Sequence, residues 1–119
     1  MSETSSNAPN VFTTTDPLGR VVVMKESTFT FHILGDGNRA EFKGQEEKLK
    51  KVIENPAIIV KDPMDTRERY YDIISLSTTN KIKPVMIVVD HSTEQGDVVT
   101  AMRKSSMTDF TERGVVYER

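Results

Sequence analysis

Hydrophobic residues recur at helical spacing in the first half of the chain and at strand spacing in the second half. Phe42, Leu49, Val52 and Ile53 fall on one face of a helix, and Glu and Lys fill the other face. Because proline cannot extend the helical hydrogen-bond ladder and disfavours helical dihedrals in the residue before it, this helix is predicted to end at Asn55–Pro56.

Residues 27–34 fit two kinds of element. A serine or threonine at the start of this segment could cap a helix, whereas its run of β-branched and aromatic residues is typical of a strand. A helix is favoured because Phe29, Ile33 and Phe42 could then line one core.

Strands are predicted where β-branched and aromatic residues cluster between polar turns. They cover residues 20–24, 57–60, 69–77, 83–90 and 97–102, with a last short strand at 114–117. The long ones suggest an antiparallel meander with hairpin loops at 78–81 and 91–96. Because residues 85–89 are apolar on both faces, their strand is expected to be central. In the strand that follows, alternation puts Val98, Thr100 and Met102 on one face and Val99, Ala101 and Arg103 on the other.

Length and composition predict a single α+β domain over residues 11–119, preceded by a disordered polar tail at 1–10. The chain has 119 residues, of which 36% are hydrophobic and 29% charged. It contains no cysteine, which excludes disulfides and thiolate metal sites and suits a reducing compartment. Neither a signal peptide nor a membrane-spanning run is found, so a cytoplasmic location is expected.

Net charge limits the class of partner. The 16 Lys and Arg residues against 18 Asp and Glu leave a charge of −2, which argues against a protein that coats nucleic acid through bulk electrostatics. Any RNA site must therefore be local. Basic residues do gather in the middle of the chain and again near its end, although a solvated surface is the simpler interpretation of each one taken singly.

The residues nevertheless include the groups needed to cleave a phosphodiester without a metal. Internal transesterification of RNA needs a base for the ribose 2′-hydroxyl, an acid for the leaving 5′-oxygen, and donors for the charge on the phosphorane. His32 could take either proton-transfer role at neutral pH. Arg67 and Arg69 could clamp the phosphate with forked donors, and Arg103 is a further candidate. A tyrosine of the pair 70–71 could stack a base.

Each of these assignments has a structural alternative. An isolated histidine between Phe31 and Ile33 is more often packed than catalytic. Tyr70 and Tyr71 point to opposite faces of a strand, so at least one of them is expected in the core. His91 is interpreted as a solvated turn residue, because a lone histidine beside acids is a weak metal signal.

The order of several segments resembles a known nuclease family. The segments are Asp16–Arg20 before a short strand, His32–Ile33, Asn55–Pro56 followed by two isoleucines, the tyrosine pair 70–71, the strand 85–89, and Val98–Ala101. Together they look like the phage-associated members of the barnase, EndoU, colicin and RelE-like nuclease superfamily over residues 16–102. The signal lies in their order, since no single segment is a strong motif.

This resemblance implies one or two N-terminal helices packed on a four- to five-stranded antiparallel sheet, whose open face binds and cleaves RNA without metal or cofactor. It implies acid/base chemistry at His32 and phosphate contact at Thr100. With the arginines and tyrosines, the predicted catalytic residues are His32, Arg69 and Thr100, and the predicted substrate-binding residues are Arg67, Tyr70, Tyr71 and Arg103.

Two alternatives to a plain ribonuclease remain. Many relatives carry a second histidine, a proline and an acid shortly after the first histidine, and residues 34–41 of this chain lack that series. The difference favours a non-catalytic phage accessory or regulatory module that binds RNA or a protein on the same fold. The other alternative is a toxin-like nuclease held inactive by an inhibitor protein of the immunity or antitoxin kind.

Overall fold

A computed structural model describes residues 9–35, 42–76, 81–104 and 114–119. Within these ranges, seven strands and two short helical segments are formed. The strands are β1 (Asn10–Thr15), β2 (Val21–Lys25), β3 (Ile58–Lys61), β4 (Arg67–Leu76), β5 (Lys81–Asp90), β6 (Gly96–Arg103) and β7 (Val115–Glu118). The helical segments are a π-helix, Thr28–Gly35, and the helix α1, Glu46–Glu54. No helix among the described residues is long and apolar enough to cross a membrane.

All seven strands belong to one mixed sheet in the order β1-β2-β6-β5-β4-β3-β7. Neighbours are antiparallel except β2 and β6, which run parallel through the pairs Val22–Gly96 and Val23–Asp97. The predicted α+β fold with a four- to five-stranded antiparallel sheet is therefore wrong, because the described residues form mostly one mixed seven-stranded sheet with two short helical segments. The difference arises because a polar segment, Asn10–Thr15, adds an edge strand, and because β3 and β7 extend the sheet at its other edge.

The turn between β1 and β2 follows from its sequence. Proline at position 17 presets its backbone angle, and Gly19 takes φ +84°, a left-handed conformation that other residues resist. The N–H of Gly19 donates to the carbonyl of Asp16 at 3.0 Å, and the N–H of Asp16 donates to the carbonyl of Arg20 at 2.9 Å. The strand that precedes this turn, β1, is not among the predicted strands.

One face of the sheet, called the helix face below, packs against both helical segments. Leu49, Val52 and Ile53 of α1 are buried there, as predicted, and α1 ends before Pro56. The segment 28–35 is helical, so the helix favoured over a strand for residues 27–34 is confirmed. Its geometry is that of a π-helix, which is wider than an α-helix. Phe29, Ile33 and Phe42 share the same core. Full burial of a large apolar side chain stabilises the folded state by about 1.5–3 kcal/mol.

The opposite face of the sheet, called the second face below, carries a smaller apolar cluster. Its buried members are Ile58, Val60, Tyr71, Met86 and Val88. Because β5 contributes to both clusters, residues 85–89 are at most 6% exposed, and the predicted central strand is confirmed.

A β-bulge changes the predicted faces of β6. Val88 pairs with Thr100 while the next residue, Val89, pairs with Val98, so Val99 is an extra residue in the ladder. Thr100 therefore lies on the second face with Val88, whereas Val98 packs in the core of the helix face. The uninterrupted alternation predicted for this strand is wrong for that reason. The predicted disordered tail and the loop at 78–81 lie largely outside the described residues.

Candidate functional site

The residues predicted to share a phosphate lie on different sides of the sheet. His32 is exposed on the π-helix, which packs on the helix face through Phe29 and Ile33. Arg69 and Thr100 both pair with Val88 on the second face. Since the sheet lies between these side chains, the structure does not bring them together at one reacting atom.

The other predicted phosphate-binding residues are also distributed. Arg103 pairs with Val85, so it lies on the helix face, on the same side of the sheet as His32. Arg67 and Arg69 contact carboxylates: Arg69 Nε lies 2.5 Å from Asp62 Oδ1, and Arg67 Nε lies 3.4 Å from Asp90 Oδ2. Both arginines are thus engaged in ion pairs within the protein.

Neither tyrosine of the pair can stack a base. Tyr70 lies on the helix face and Tyr71 on the second face, and the exposure of each is 0%. The expectation that they occupy opposite faces is confirmed. Their burial is the reason that the predicted stacking role does not fit the structure.

A different set of polar residues converges at one end of the sheet. The set, called the Arg20 cluster below, consists of Asp16, Arg20, Glu68, Tyr70 and His91. It forms where the β1–β2 turn meets the start of β4 and the end of β5. These residues are far apart in the sequence, and the fold assembles them.

Asp16 is the more buried of the two carboxylates in the cluster, at 3% exposure against 8% for Glu68, and each of its carboxylate oxygens accepts two hydrogen bonds. Oδ1 accepts from the backbone N–H of Leu18 at 3.0 Å and of Arg20 at 2.9 Å. Oδ2 accepts from Arg20 Nε at 2.9 Å and from the Tyr70 hydroxyl at 2.6 Å. This carboxylate therefore fixes both the turn and the side chain of Arg20.

Arg20 extends from Asp16 to β4. Its Nη2 donates to Glu68 Oε1 at 2.8 Å and its Nη1 to Glu68 Oε2 at 3.3 Å, which is the two-pronged pairing that guanidinium and carboxylate favour. Nη2 also lies 3.2 Å from the Tyr70 hydroxyl. The Arg20 side chain as a whole is 29% exposed.

His91 completes the cluster from the end of β5. Its Nε2 lies 3.0 Å from the Tyr70 hydroxyl and 3.8 Å from Glu68 Oε1. The Tyr70 hydroxyl donates its only proton to Asp16, so it accepts from His91, which assigns a proton to Nε2. The interpretation of His91 as a solvated turn residue is wrong, since its side chain is only 12% exposed.

The surroundings shift four pKa values in this cluster. Burial lowers the pKa of Arg20, but the hydrogen bond to Glu68 and the charges of Glu68 and Asp16 outweigh it, so the net pKa of Arg20 is raised. Burial raises the pKa of Asp16, but hydrogen bonds from Tyr70 and Arg20 and the charge of Arg20 outweigh it, so the net pKa is below 3.8. Burial and then the hydrogen bond to Asp16 raise the pKa of Tyr70. Burial and then the charge of Arg20 lower the pKa of His91, and nearby carboxylates offset only part of that effect.

Three connecting segments surround the Arg20 cluster: the β1–β2 turn, the segment 62–66 between β3 and β4, and the segment 91–95 between β5 and β6. The last two are joined by a bond from the N–H of His91 to the carbonyl of Thr66, at 2.7 Å. Loops held together on a rigid sheet are a common place for binding and catalytic residues. Among the described residues, no three His, Asp or Glu side chains are arranged to hold a metal ion.

Sequence reasoning missed Arg20, Glu68, Asp16 and His91 as a group. The one signal that pointed to them is the turn Asp16–Arg20, whose aspartate, glycine and arginine were noted only as part of the family resemblance. Comparison of the chain with protein-family models, curated proteins and solved structures finds no match in any of the three.

Proposed function

We propose that the protein cleaves RNA phosphodiesters by acid/base transesterification at the Arg20 cluster. The observation that carries the proposal is the meeting of three chemical groups: Glu68 Oε1 lies 2.8 Å from Arg20 Nη2 and 3.8 Å from His91 Nε2. A carboxylate, a guanidinium and an imidazole supply a base, a stabilising cation and an acid, which is the complete set that the reaction requires.

The roles follow from the charges. Glu68 accepts the proton of the ribose 2′-hydroxyl, and the resulting oxygen attacks the adjacent phosphorus. Arg20 donates to the phosphorane oxygens while negative charge grows on them. The bond from phosphorus to the 5′-oxygen then breaks, and His91 in its doubly protonated form supplies the proton for that leaving oxygen. The products are a 2′,3′-cyclic phosphate and a free 5′-hydroxyl.

Binding of substrate would free the Glu68 carboxylate from its pairing with Arg20, so that it can act as the base. In the free protein, Arg20 and Glu68 neutralise one another through two hydrogen bonds. A phosphate that approaches the exposed edge of Arg20 competes with Glu68 for the same forked donors. Engagement of the phosphate therefore leaves the carboxylate free to accept a proton.

The protonation required of His91 gives the reaction an acidic optimum. Only the doubly protonated imidazolium becomes a neutral imidazole after it donates a proton to the leaving group. Burial and then the charge of Arg20 keep the His91 pKa below 6.5. Turnover is expected to rise as the pH falls toward that pKa. A cytoplasmic location, where RNA is abundant, belongs to the same proposal, as does regulation by an inhibitor protein.

The test is cleavage of a mixed RNA pool in EDTA by wild-type protein and by His91→Gln, Glu68→Gln and His32→Ala. Gln at position 91 can still donate to Tyr70 but cannot titrate, so it tests proton transfer with the least change in packing. We expect His91→Gln and Glu68→Gln to lose about 10²–10⁴-fold in rate, because each removes one general acid or base. His32→Ala is expected to retain activity, since His32 lies outside the cluster.

Circular dichroism and thermal melting of each variant show whether the fold is kept. Wild-type protein that leaves RNA intact from pH 4 to pH 8 would overturn the proposal. Loss of cleavage in His32→Ala, with His91→Gln fully active, would move the chemistry back to the π-helix.

A second candidate is a non-catalytic module that binds single-stranded RNA. Phe31 on the π-helix is 64% exposed and borders a groove of about 360 Å³. An exposed aromatic ring can stack an unpaired base, whereas Tyr70 and Tyr71 are buried. In the same assay, RNA that is retarded in a gel but never shortened would favour this candidate over the nuclease.

A further inference from the structure

Gly96, the first residue of β6, lies against the imidazole of His91. A β-carbon built at this position would lie 2.8 Å from His91 Cε1, 3.0 Å from His91 Nδ1 and 2.9 Å from Val89 Cγ1. These separations are shorter than the roughly 3.5 Å at which carbon atoms are in favourable contact. Any side chain at position 96 would therefore displace one of these two neighbours.

The neighbour that would move is His91. Val89 is fully buried in the core, and its branched side chain has few alternative rotamers. The His91 ring lies at the end of a strand, is 12% exposed, and is held at Nε2 by the hydroxyl of Tyr70. A methyl group at position 96 would press on the Cε1–Nδ1 edge of that ring, next to Nε2, and change the contact of Nε2 with Tyr70 and Glu68.

We propose that Gly96 is a positioning residue that keeps the His91 imidazole within reach of Glu68 and Tyr70. The parallel pairing of Gly96 with Val22 fixes its backbone at this place in the sheet, and the missing side chain leaves the space that the ring occupies. The importance of this position for catalysis rests on the proposed function; the effect on the ring itself does not.

A double-mutant cycle tests the contact without any activity measurement. The four proteins are wild type, Gly96→Ala, His91→Ala and the double variant, and the readout is the midpoint of urea unfolding. Gly96→Ala is expected to lower the midpoint in the wild-type background. In the His91→Ala background the same change is expected to have a smaller effect, because the ring that clashes with the methyl group is absent. Equal shifts in both backgrounds would overturn the proposal.

Titration of His91 by NMR supplies a second readout that a general loss of stability would not move. In Gly96→Ala the His91 ring is expected to become more exposed, so the pKa of His91 should rise toward 6.5. An unchanged His91 titration in folded Gly96→Ala would contradict the positioning role.

Cleavage assays then separate the two proposals. With the nuclease active, Gly96→Ala is expected to lose about a hundredfold in rate, the cost of misplacing a reacting group by roughly 1 Å. If Gly96→Ala and His91→Ala are coupled and the His91 pKa shifts, but the protein never cleaves RNA, then the positioning role of Gly96 is supported and the proposed nuclease activity is overturned. If cleavage depends on His91 but not on Gly96, then the nuclease activity is supported and the positioning role of Gly96 is overturned.

Discussion

At the scale of single residues, the Tyr70 hydroxyl connects the parts of the Arg20 cluster. It donates to Asp16 at 2.6 Å and lies 3.2 Å from Arg20 Nη2 and 3.0 Å from His91 Nε2. The ring itself packs in the core of the helix face. One side chain thus joins the hydrophobic core to the polar end of the sheet, so its hydroxyl contributes to stability and to the placement of His91.

Tyr70→Phe removes that hydroxyl with little change in volume. Asp16 and His91 then each lose a hydrogen-bond partner in a poorly hydrated place, and the free energy of unfolding is expected to fall by about 2 kcal/mol. Urea unfolding measures this change. Tyr117→Phe is the matched control, because Tyr117 is half-buried and its hydroxyl bonds to no described residue. A loss in Tyr70→Phe no larger than in the control would show that the network does not stabilise the protein.

At the scale of elements, the β1–β2 turn is attached to β4 and β5 by charged and titratable side chains. The turn supplies Asp16 and Arg20, β4 supplies Glu68 and Tyr70, and His91 follows β5. Asp16 and His91 both have lowered pKa values in the folded state. A group of this kind binds fewer protons when folded than when unfolded, so its contribution to stability is lost as the pH falls.

Two pH windows follow for the two residues. The stability contributed by His91 is fully present above about pH 6.5 and declines as the pH falls toward the pKa of His91 in the folded protein. The stability contributed by Asp16 is fully present above about pH 3.8 and declines as the pH falls below that value. His91→Gln should therefore flatten the dependence of unfolding free energy on pH just below 6.5. Asp16→Asn should remove the dependence in the more acidic window. It should also lower the His91 pKa further, because the Asp16 charge is one of those that raise it. Urea unfolding between pH 3 and pH 8 checks both, and an unaltered slope in His91→Gln below 6.5 would contradict the assignment.

Elements with a strong local pattern could be predicted from the sequence. Val85–Val89 had to be central because both faces are apolar, and α1 had to end before Pro56 because proline lacks an amide hydrogen. β1 gave a mixed signal, because its threonines, Val11 and Phe12 have high β-propensity but only two of its six residues are apolar, and it becomes a strand by pairing with β2. The bulge at Val99 likewise depends on the partner strand.

The candidate site was harder to predict than the fold for a physical reason. Arg67 and Arg69 were conspicuous because they lie two residues apart in the sequence, but their charges are balanced by Asp90 and Asp62. His91 meets Tyr70, 21 residues away in the sequence, only when β4 pairs with β5, and Tyr70 in turn bonds to Asp16 at a separation of 54 residues. Local sequence patterns carry no information on such contacts.

At the scale of the whole molecule, the parallel joint between β2 and β6 decides the architecture. It attaches the β1–β2 hairpin to the antiparallel strands, and it is carried by only two pairs, Val22–Gly96 and Val23–Asp97. Without it, only side-chain contacts would hold the turn that bears Asp16 and Arg20 near His91. The mixed sheet is therefore a condition for the Arg20 cluster, and a purely antiparallel sheet would not assemble it.

A pair of introduced cysteines tests this joint directly, because the chain has no cysteine of its own. Val23 and Asp97 are directly paired, and adjacent strands lie about 4.8 Å apart, within the span that a disulfide bridges. Val23→Cys with Asp97→Cys is expected to form an intramolecular disulfide on mild oxidation, seen as the loss of two hydrogens in the intact mass. Val23→Cys with Val115→Cys is the control, since four strands separate β2 from β7, a distance of about 24 Å. A bridge that forms as readily in the control, or one that fails to form between positions 23 and 97 in folded protein, would contradict the parallel pairing. The Arg20 cluster would then lose its structural basis, because nothing else in the backbone ladder holds the first turn beside His91.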